Sequence, residues 1–290
     1  MYGFFTRHAG MTPDSKETFD SSIIPAASLN CTESGQVMTS RPEFSQVHDL
    51  TLKLSAELAA ARPVYDAPAL KAKLRELLQL PEKITVPYAR TMRLICAAGV
   101  PDSRRYFSRF ALERDNAPLT MLKINSELPY FHFPELDTLT IYVPHLDSGS
   151  ELVKLDRNAD DIYAGLDISN IGETRALGTD MDGSKFTAPY SQDYHYDSVQ
   201  LMYGTSMVAR RVEDILSAIA FVKDRGVKNV KLIARGQGAI PAAMAALLSD
   251  DVEAVTLYET LESYQNVVNK RVSDWPQSSM IPGVLKYMDV

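Results

Sequence analysis

The sequence predicts an α/β protein: a mostly parallel sheet flanked by helices, with a helical connector on its N-terminal side. Three observations carry this. From residue 204 onward, apolar runs of strand length alternate with apolar stripes at helical spacing. Val230–Ala234 leads directly into a Gly236-Gln237-Gly238 turn and an Ala-rich helix. Leu136–Val143 is a β-rich run closed by Pro144, as expected of a central strand.

The 290 residues suit one large α/β domain, or one domain with part of another, and 45% hydrophobic content is enough for a packed core. Net charge is −7 with no Lys/Arg block, which argues against a nucleic-acid partner, since that needs a basic stripe. No apolar run approaches the roughly 18 residues of a membrane span, so no membrane partner is expected. The opening Tyr2-Gly-Phe-Phe-Thr-Arg-His8 lacks the basic flank and apolar stretch of a signal peptide. It reads as a short amphipathic helix burying Phe4 and Phe5. Cys31 and Cys96 have no metal-ligand spacing and are expected as buried free thiols.

The elements follow in order. Short extended pieces at Ser28–Cys31 and Gln36–Met38 flank Glu33-Ser34-Gly35, whose turn chemistry predicts a small hairpin. Val47, Leu50, Leu54 and Leu58 mark a helix stopped by Arg62-Pro63, and Asp66 caps a second carrying Leu70, Leu74, Leu77 and Leu78. Tyr106, Phe110 and Leu112 alternate with Arg109 and Glu113 as in a half-buried strand, with Phe107 off the pattern. Further strands are expected at Leu119–Ile124, Leu136–Val143 and Asp161–Ile168, with a short helix at Glu151–Leu155. Ser169 to Tyr203 reads as one long polar loop. Val208, Val212, Ile215, Ile219 and Val222 form a helical stripe over Gly204–Arg225. Strand Val230–Ala234, helix Ile240–Leu248, strand Val252–Tyr258 and helix Leu261–Val272 complete the series.

The glycine turn is where chemistry is expected. In a nucleophile elbow, G-x-S-x-G holds a strained serine between strand and helix. Laid on that pattern, Ala234 takes the first glycine, Gly236 the serine and Gly238 the last glycine, with Arg235 and Gln237 flanking. Without a hydroxyl at 236, acyl transfer through this turn has no nucleophile. A dinucleotide fingerprint is the rival reading, with Glu259 ending the next strand as a ribose-binding acid. Pro241 stands where that fingerprint wants its third small residue. A plain glycine turn without a ligand is the third.

Several segments together resemble the acetylxylan-esterase-like and prolyl-oligopeptidase-like α/β-hydrolases, notably bacterial proteins with two hydrolase-like lobes. Leu166-Asp-Ile-Ser-Asn-Ile-Gly-Glu-Thr-Arg175 is similar to the family's strand ending in Asp-x-Arg-Gly-x-Gly-x-[Ser/Thr], with Ser169-Asn170 in place of Arg-Gly. Tyr203–Leu216 is similar to the stretch in which Gly-x-x-x-x-x-x-Arg-x-x-Asp opens the helix before the elbow. The resemblance makes Arg211 and Asp214 structural ties near the active-site floor. Pro282–Asp289 resembles the lead-in to the segment bearing the catalytic acid, so the last strands, with acid and histidine, are expected beyond Val290. Residues 1–40 then read as the tail of a preceding lobe, 41–82 as a helical connector and 83–290 as most of a second lobe.

The other titratable residues supply no complete catalytic set. His145, after a central strand, and Glu259 are pocket candidates, but neither has a nucleophile to serve. His195 lies between two carboxylates in what reads as solvated loop. Asp180-Met-Asp182-Gly183 is similar to part of a calcium loop, but its twelfth position is Pro189, so it reads as a turn with no metal. Ser206 reads as a helix cap. The expectation is therefore an ester-hydrolase lobe with no cofactor and no self-sufficient active site, exported if it follows the family. Its partners would be an upstream lobe of the same polypeptide and a carbohydrate or peptide ester. The alternative is a non-enzymatic carbohydrate- or peptide-binding module; a nucleotide-binding α/β protein comes after it.

Overall fold

The computed structural model describes residues 2–13, 23–96, 106–115, 117–126, 133–152, 154, 163–176, 190 and 192–290. They divide into two compact units, Met1–Leu50 and Thr51–Val290. The first contains α1 (Tyr2–His8), α2 (Val37–Ser40) and the start of α3 (Val47–Ala61). None of its described residues is buried.

The second unit continues with α4 (Ala67–Leu77), β1 (Tyr88–Cys96), β2 (Tyr106–Glu113), β3 (Thr120–Ser126), β4 (Thr138–Val143), α5 (Ser148–Leu152) and β5 (Tyr163–Asp167). Then come α6 (Asp193–Met202), α7 (Met207–Asp224), β6 (Asn229–Arg235), α8 (Ala239–Leu248), β7 (Val252–Tyr258) and α9 (Tyr264–Asn269). The strands form one seven-stranded sheet in the order β1-β2-β3-β5-β4-β6-β7. The half β5-β4-β6-β7 is parallel, and β1, β2 and β3 extend it by antiparallel pairing.

The parallel half is the α/β core the alternation of elements predicts. β4 pairs in register with β6, Ile141 beside Leu232 and Val143 beside Ala234. The α7 stripe packs on this sheet: Val212, Ile215 and Val222 are fully buried in the main core, each contributing about 1.5–3 kcal/mol by removal from water. The helix starts where Ser206 Oγ accepts from the Ala209 N–H at 3.1 Å, a side-chain cap. It ends before Gly226, whose φ of +97° is a backbone state glycine adopts without strain. Leu74 and Leu78 of the α4 region enter the same core. A second cluster, Phe107, Tyr142, Leu152 and Tyr163, is separate from it.

Several expectations are corrected. The described residues of the first unit form no hairpin: Ala26–Leu29 is a 3-10 turn and Val37–Ser40 is α-helical. The turn at Gly35 is present, but Ser34 Oγ bonds Gln36, Thr39 and Ser40, and such local bonds compete with strand pairing. Phe4 and Phe5 are exposed and Cys31 is exposed, because so short a unit encloses no core. Cys96 has its side chain outside the described residues. Phe107, off the pattern in the sequence, is buried in the second cluster, so β2 is covered on both faces. The long loop after Ser169 gives way to a ten-residue helix, α6. The final helix spans only Tyr264–Asn269. The segment 180–183 lies outside the described residues.

Candidate functional site

The site is built where β4, β6 and β7 end side by side. β6 delivers Arg235, the chain turns through Gly236–Gly238, and α8 departs from Ala239. Gly236 has φ of +54°, in the left-handed region that favours glycine. Gly238 needs its lack of a side chain for a different reason. A Cβ there would fall 2.5 Å from the Pro144 carbonyl oxygen and 2.7 Å from that of Val143. The missing side chain is what lets the turn press onto the end of β4.

His145 is the first residue past that contact, and it fills the space over the turn. A Cβ at position 236 would overlap its Nδ1 and lie 2.7 Å from its Cγ. Nδ1 accepts the Gln237 backbone N–H at 3.2 Å, and Gln237 Nε2 donates to the His145 carbonyl at 3.3 Å. Nδ1 is therefore the unprotonated nitrogen and the ring proton sits on Nε2. Burial depresses the His145 pKa, and neighbouring Arg235 and Arg211 add to this, against an opposing pull from Glu151 and Glu259. The Tyr190 ring stands edge-on to the imidazole at 6.1 Å.

Glu151 on α5 takes up the next set of donors. Its carboxylate accepts the backbone N–H of His145 (2.9 Å), Leu146 (2.8 Å) and Asp147 (3.2 Å), and the Tyr142 hydroxyl at 2.7 Å. An oxyanion site of the elbow type uses the N–H after the nucleophile position and one from the loop after a neighbouring strand. Here the first is bonded to His145 and the N–H groups of residues 145–147 to Glu151.

Beneath the turn lies a buried polar lattice centred on Arg211. This side chain is 1% exposed, and it donates to Asp193 Oδ1 (2.7 Å), the Ser169 carbonyl (3.1 Å) and Gln237 Oε1 (3.3 Å). Asp193 also accepts from Asn170 Nδ2 at 3.0 Å and from the Ser278 hydroxyl. Asp214, three residues along α7, accepts the Ser169 N–H at 2.7 Å and pairs with Arg114. Its burial raises its pKa, and Arg114 pulls the other way. Ser169 is thus clamped through both backbone groups, tying the end of β5 to α7. A second lattice, Lys123 with Asp167 (2.6 Å) and Glu173 (3.0 Å), holds the opposite side of the β5 end.

The structure brings together Arg235, Gly236, Gln237, Gly238, His145, Glu259 and Arg211, while Asp214 sits one turn of α7 away. Glu259, at φ of +50°, forms a two-pronged ion pair with Arg235 at 2.7 Å on the open surface, which holds its pKa low. His195 is exposed on α6, away from any cluster of metal-ligating groups, of which the described residues contain none. Asp289 caps α9, accepting from Ser263 Oγ and the Tyr264 N–H, a structural role. Sequence reasoning misses Glu151 and Asp193. A carboxylate six residues past His145 is a signal for the first. For the second the only hint is its i, i+4 spacing with Asp197.

Comparison with known proteins gives the fold its context. No family model and no curated protein matches the sequence. Among solved structures, a Bacteroides fragilis NCTC 9343 protein provisionally named an acetyl xylan esterase superposes with a TM-score of 0.62 at 12% identity, over 89% of this chain and 72% of that one. Acetyl xylan esterase 1 from Thermoanaerobacterium sp. JW/SL YS485 matches at 0.39 and 10% identity, over 69% of this chain and 61% of its own. The acetyl xylan esterase from Paenibacillus sp. R4 matches at 0.38 and 13%, over 69% and 62%. The first of these carries the conclusion: the chain has an α/β fold similar to that of acetyl xylan esterase-like α/β-hydrolases.

Proposed function

We propose that this chain is a non-catalytic lobe of a two-lobe α/β-hydrolase-type ester hydrolase, whose working Ser-His-acid set lies in the upstream lobe. The observation that carries the proposal is the state of the glycine turn. Position 236 offers no hydroxyl, His145 occupies the space a side chain there would need, and the Gln237 N–H is bonded to His145 Nδ1. Covalent catalysis by this turn would lack both nucleophile and oxyanion donor.

Two further observations support the lobe reading. Among the described residues β7 pairs only with β6, and its Val255 and Tyr258 are exposed beside an apolar groove lined by Met244, Leu247 and Leu257. An apolar edge strand of this kind is normally covered or guarded by charge. In the first unit, Phe4 and Phe5 are more than half exposed, as residues from the tail of another lobe would be without it. The substrate of the whole protein would be a carbohydrate or peptide ester.

The test is hydrolysis of a simple acetyl ester by the 290-residue chain, run beside a longer polypeptide that includes an upstream lobe. The reading expects turnover from the longer protein only. Turnover by residues 1–290 that disappears on substitution of one of their serines would overturn it.

A further inference from the structure

Past the end of β7 the chain forms a groove of about 490 Å³, lined by residues of α9 and of the segments on either side of it. Its size falls within the ~300–1,000 Å³ of small-molecule sites. It adjoins the apolar groove beside β7, with which it shares Thr260, Leu261 and Glu262, and no residue of the glycine turn lines it.

Trp275, the single tryptophan of the chain, supplies the apolar part together with Leu261 and Val267. Ser273 Oγ accepts the Trp275 backbone N–H at 3.0 Å and donates to the Trp275 carbonyl at 2.9 Å, which fixes the backbone carrying the half-buried indole. The indole N–H has no hydrogen-bond partner among the described residues and is not shut off from water. Asn266 and Asn269, three residues apart, share a face of α9, and both are exposed. Each amide has one of its two polar atoms in use. Asn266 Nδ2 donates to Glu262 Oε2 at 3.4 Å, and Asn269 Oδ1 accepts from Gln265 Nε2 at 3.2 Å. An acceptor on Asn266 and a donor on Asn269 are left over. Lys270 and Asp274 pair with each other, whereas Glu262 has no cation among the described residues. Thr260 adds a hydroxyl.

Donors and acceptors therefore stand side by side near an aromatic ring, with one uncompensated carboxylate. We infer that the groove binds a neutral saccharide of one or two pyranose rings, a C–H face of one ring against Trp275 and its edge hydroxyls against Asn266, Asn269 and Glu262. A sugar hydroxyl both donates and accepts, which matches the leftover atoms of the two amides. A pyranose carries apolar C–H groups on its faces and polar groups at its edge, and laying a face on an aromatic ring removes apolar surface from water. An anion would meet the carboxylates of Glu262 and Asp274. A simple cation would leave the amide and indole donors unused. The inference stands apart from the lobe reading, since binding needs no turnover and succeeds or fails whatever the esterase assay shows.

The experiment is a titration of the 290-residue chain followed by tryptophan fluorescence, which reports Trp275 alone. Cellobiose, maltose and lactose are the probes, with acyclic sorbitol and cationic choline in parallel. At least one disaccharide is expected to shift the emission and saturate with Kd on the order of 1 mM. Sorbitol has hydroxyls but no ring face, and it should not approach saturation there; nor should choline. Asn266→Ala and Asn269→Ala should each weaken the disaccharide about three- to tenfold, as loss of one hydrogen bond does. Trp275→Ala, followed through the backbone amides of residues 266 and 269 by heteronuclear NMR, should abolish binding. The two asparagine variants, at exposed positions, test the same site should Trp275→Ala fail to fold. Absence of saturation by all three disaccharides at about a hundredfold above that concentration would overturn the assignment. So would binding of sorbitol or choline as tight as that of the best disaccharide, or binding indifferent to both asparagine substitutions.

Discussion

Gly236→Ser tests the closed turn most searchingly, because it puts back the hydroxyl that an elbow would need. Two costs follow from the structure. The backbone at φ of +54° is unstrained for glycine, but costs an L-residue roughly 1–2 kcal/mol. The new Cβ also overlaps His145 Nδ1, so the ring must swing away and the Gln237 N–H loses its partner, a further ~1–3 kcal/mol for a group shut off from water. The sum is about 2–5 kcal/mol, a large share of the ~5–15 kcal/mol that holds a typical domain together. Urea unfolding of wild type, Gly236→Ser, His145→Ala and the double variant would read it as a double-mutant cycle. Serine should be far better tolerated once His145 is gone, leaving only the backbone cost of ~1–2 kcal/mol. Gly236→Ser should also gain no esterase activity while His145 is in place. Additive effects, or a serine variant as stable as wild type, would refute the reasoning.

Other perturbations follow from the same geometry. Arg211→Met leaves Asp193 buried without its cation and should cost about 3–5 kcal/mol in a denaturant titration, far more than loss of a surface pair. Lys123→Met strands Asp167 in the same way and should lower the melting temperature markedly, whereas Lys228→Met, whose pair with Asp137 is exposed, should not. The depressed pKa of His145 means that the folded state binds its proton less readily than the unfolded chain does. Its contribution to stability is complete above the ordinary histidine value of about 6.5 and is lost as pH falls below that toward the folded value. His145→Asn should flatten that stretch of the stability–pH curve. Val255→Lys on the exposed face of β7 should raise the protein concentration at which self-association begins, measured by light scattering.

The elements legible in the sequence are those whose apolar residues are regularly spaced or run together, whether the structure buries them or, as in β7, leaves them at the sheet edge. The α7 stripe, β6, the glycine turn, α8 and β7 announce themselves through spacing of Val, Ile, Leu and Ala, and the structure has them within three residues at every end. β1 is not legible because Arg90 and Thr91 break up its apolar residues: Tyr88, Arg90 and Thr91 are exposed and no alternation develops. α6 reads as loop because the residues it buries are Asp193 and Asp197, and a periodicity of charge does not register as a hydrophobic one. Phe107 looks misplaced because a strand covered on both faces does not alternate.

At the site, the positions are legible and their partners are not. The strand-turn-helix pattern singles out residues 234–238, and the strand ends single out His145 and Glu259. That His145 sits on Gly236, far away in sequence, depends on β4 and β6 being adjacent in the sheet, which local pattern does not encode. The Arg211–Asp193 pair likewise depends on α6 folding back beside α7. Such contacts follow from topology, and topology is the part of the fold that periodicity leaves open.

The claim on which the functional reading rests is that the donor after the glycine turn is already taken. It is tested most directly by the nitrogen spectrum of His145 together with exchange of the Gln237 amide. The account predicts a neutral imidazole with its proton on Nε2, and a Gln237 amide protected from exchange that becomes exposed in His145→Ala. An imidazole protonated on Nδ1, or a Gln237 amide that exchanges freely in the wild-type chain, would contradict it and leave an open oxyanion site at this turn.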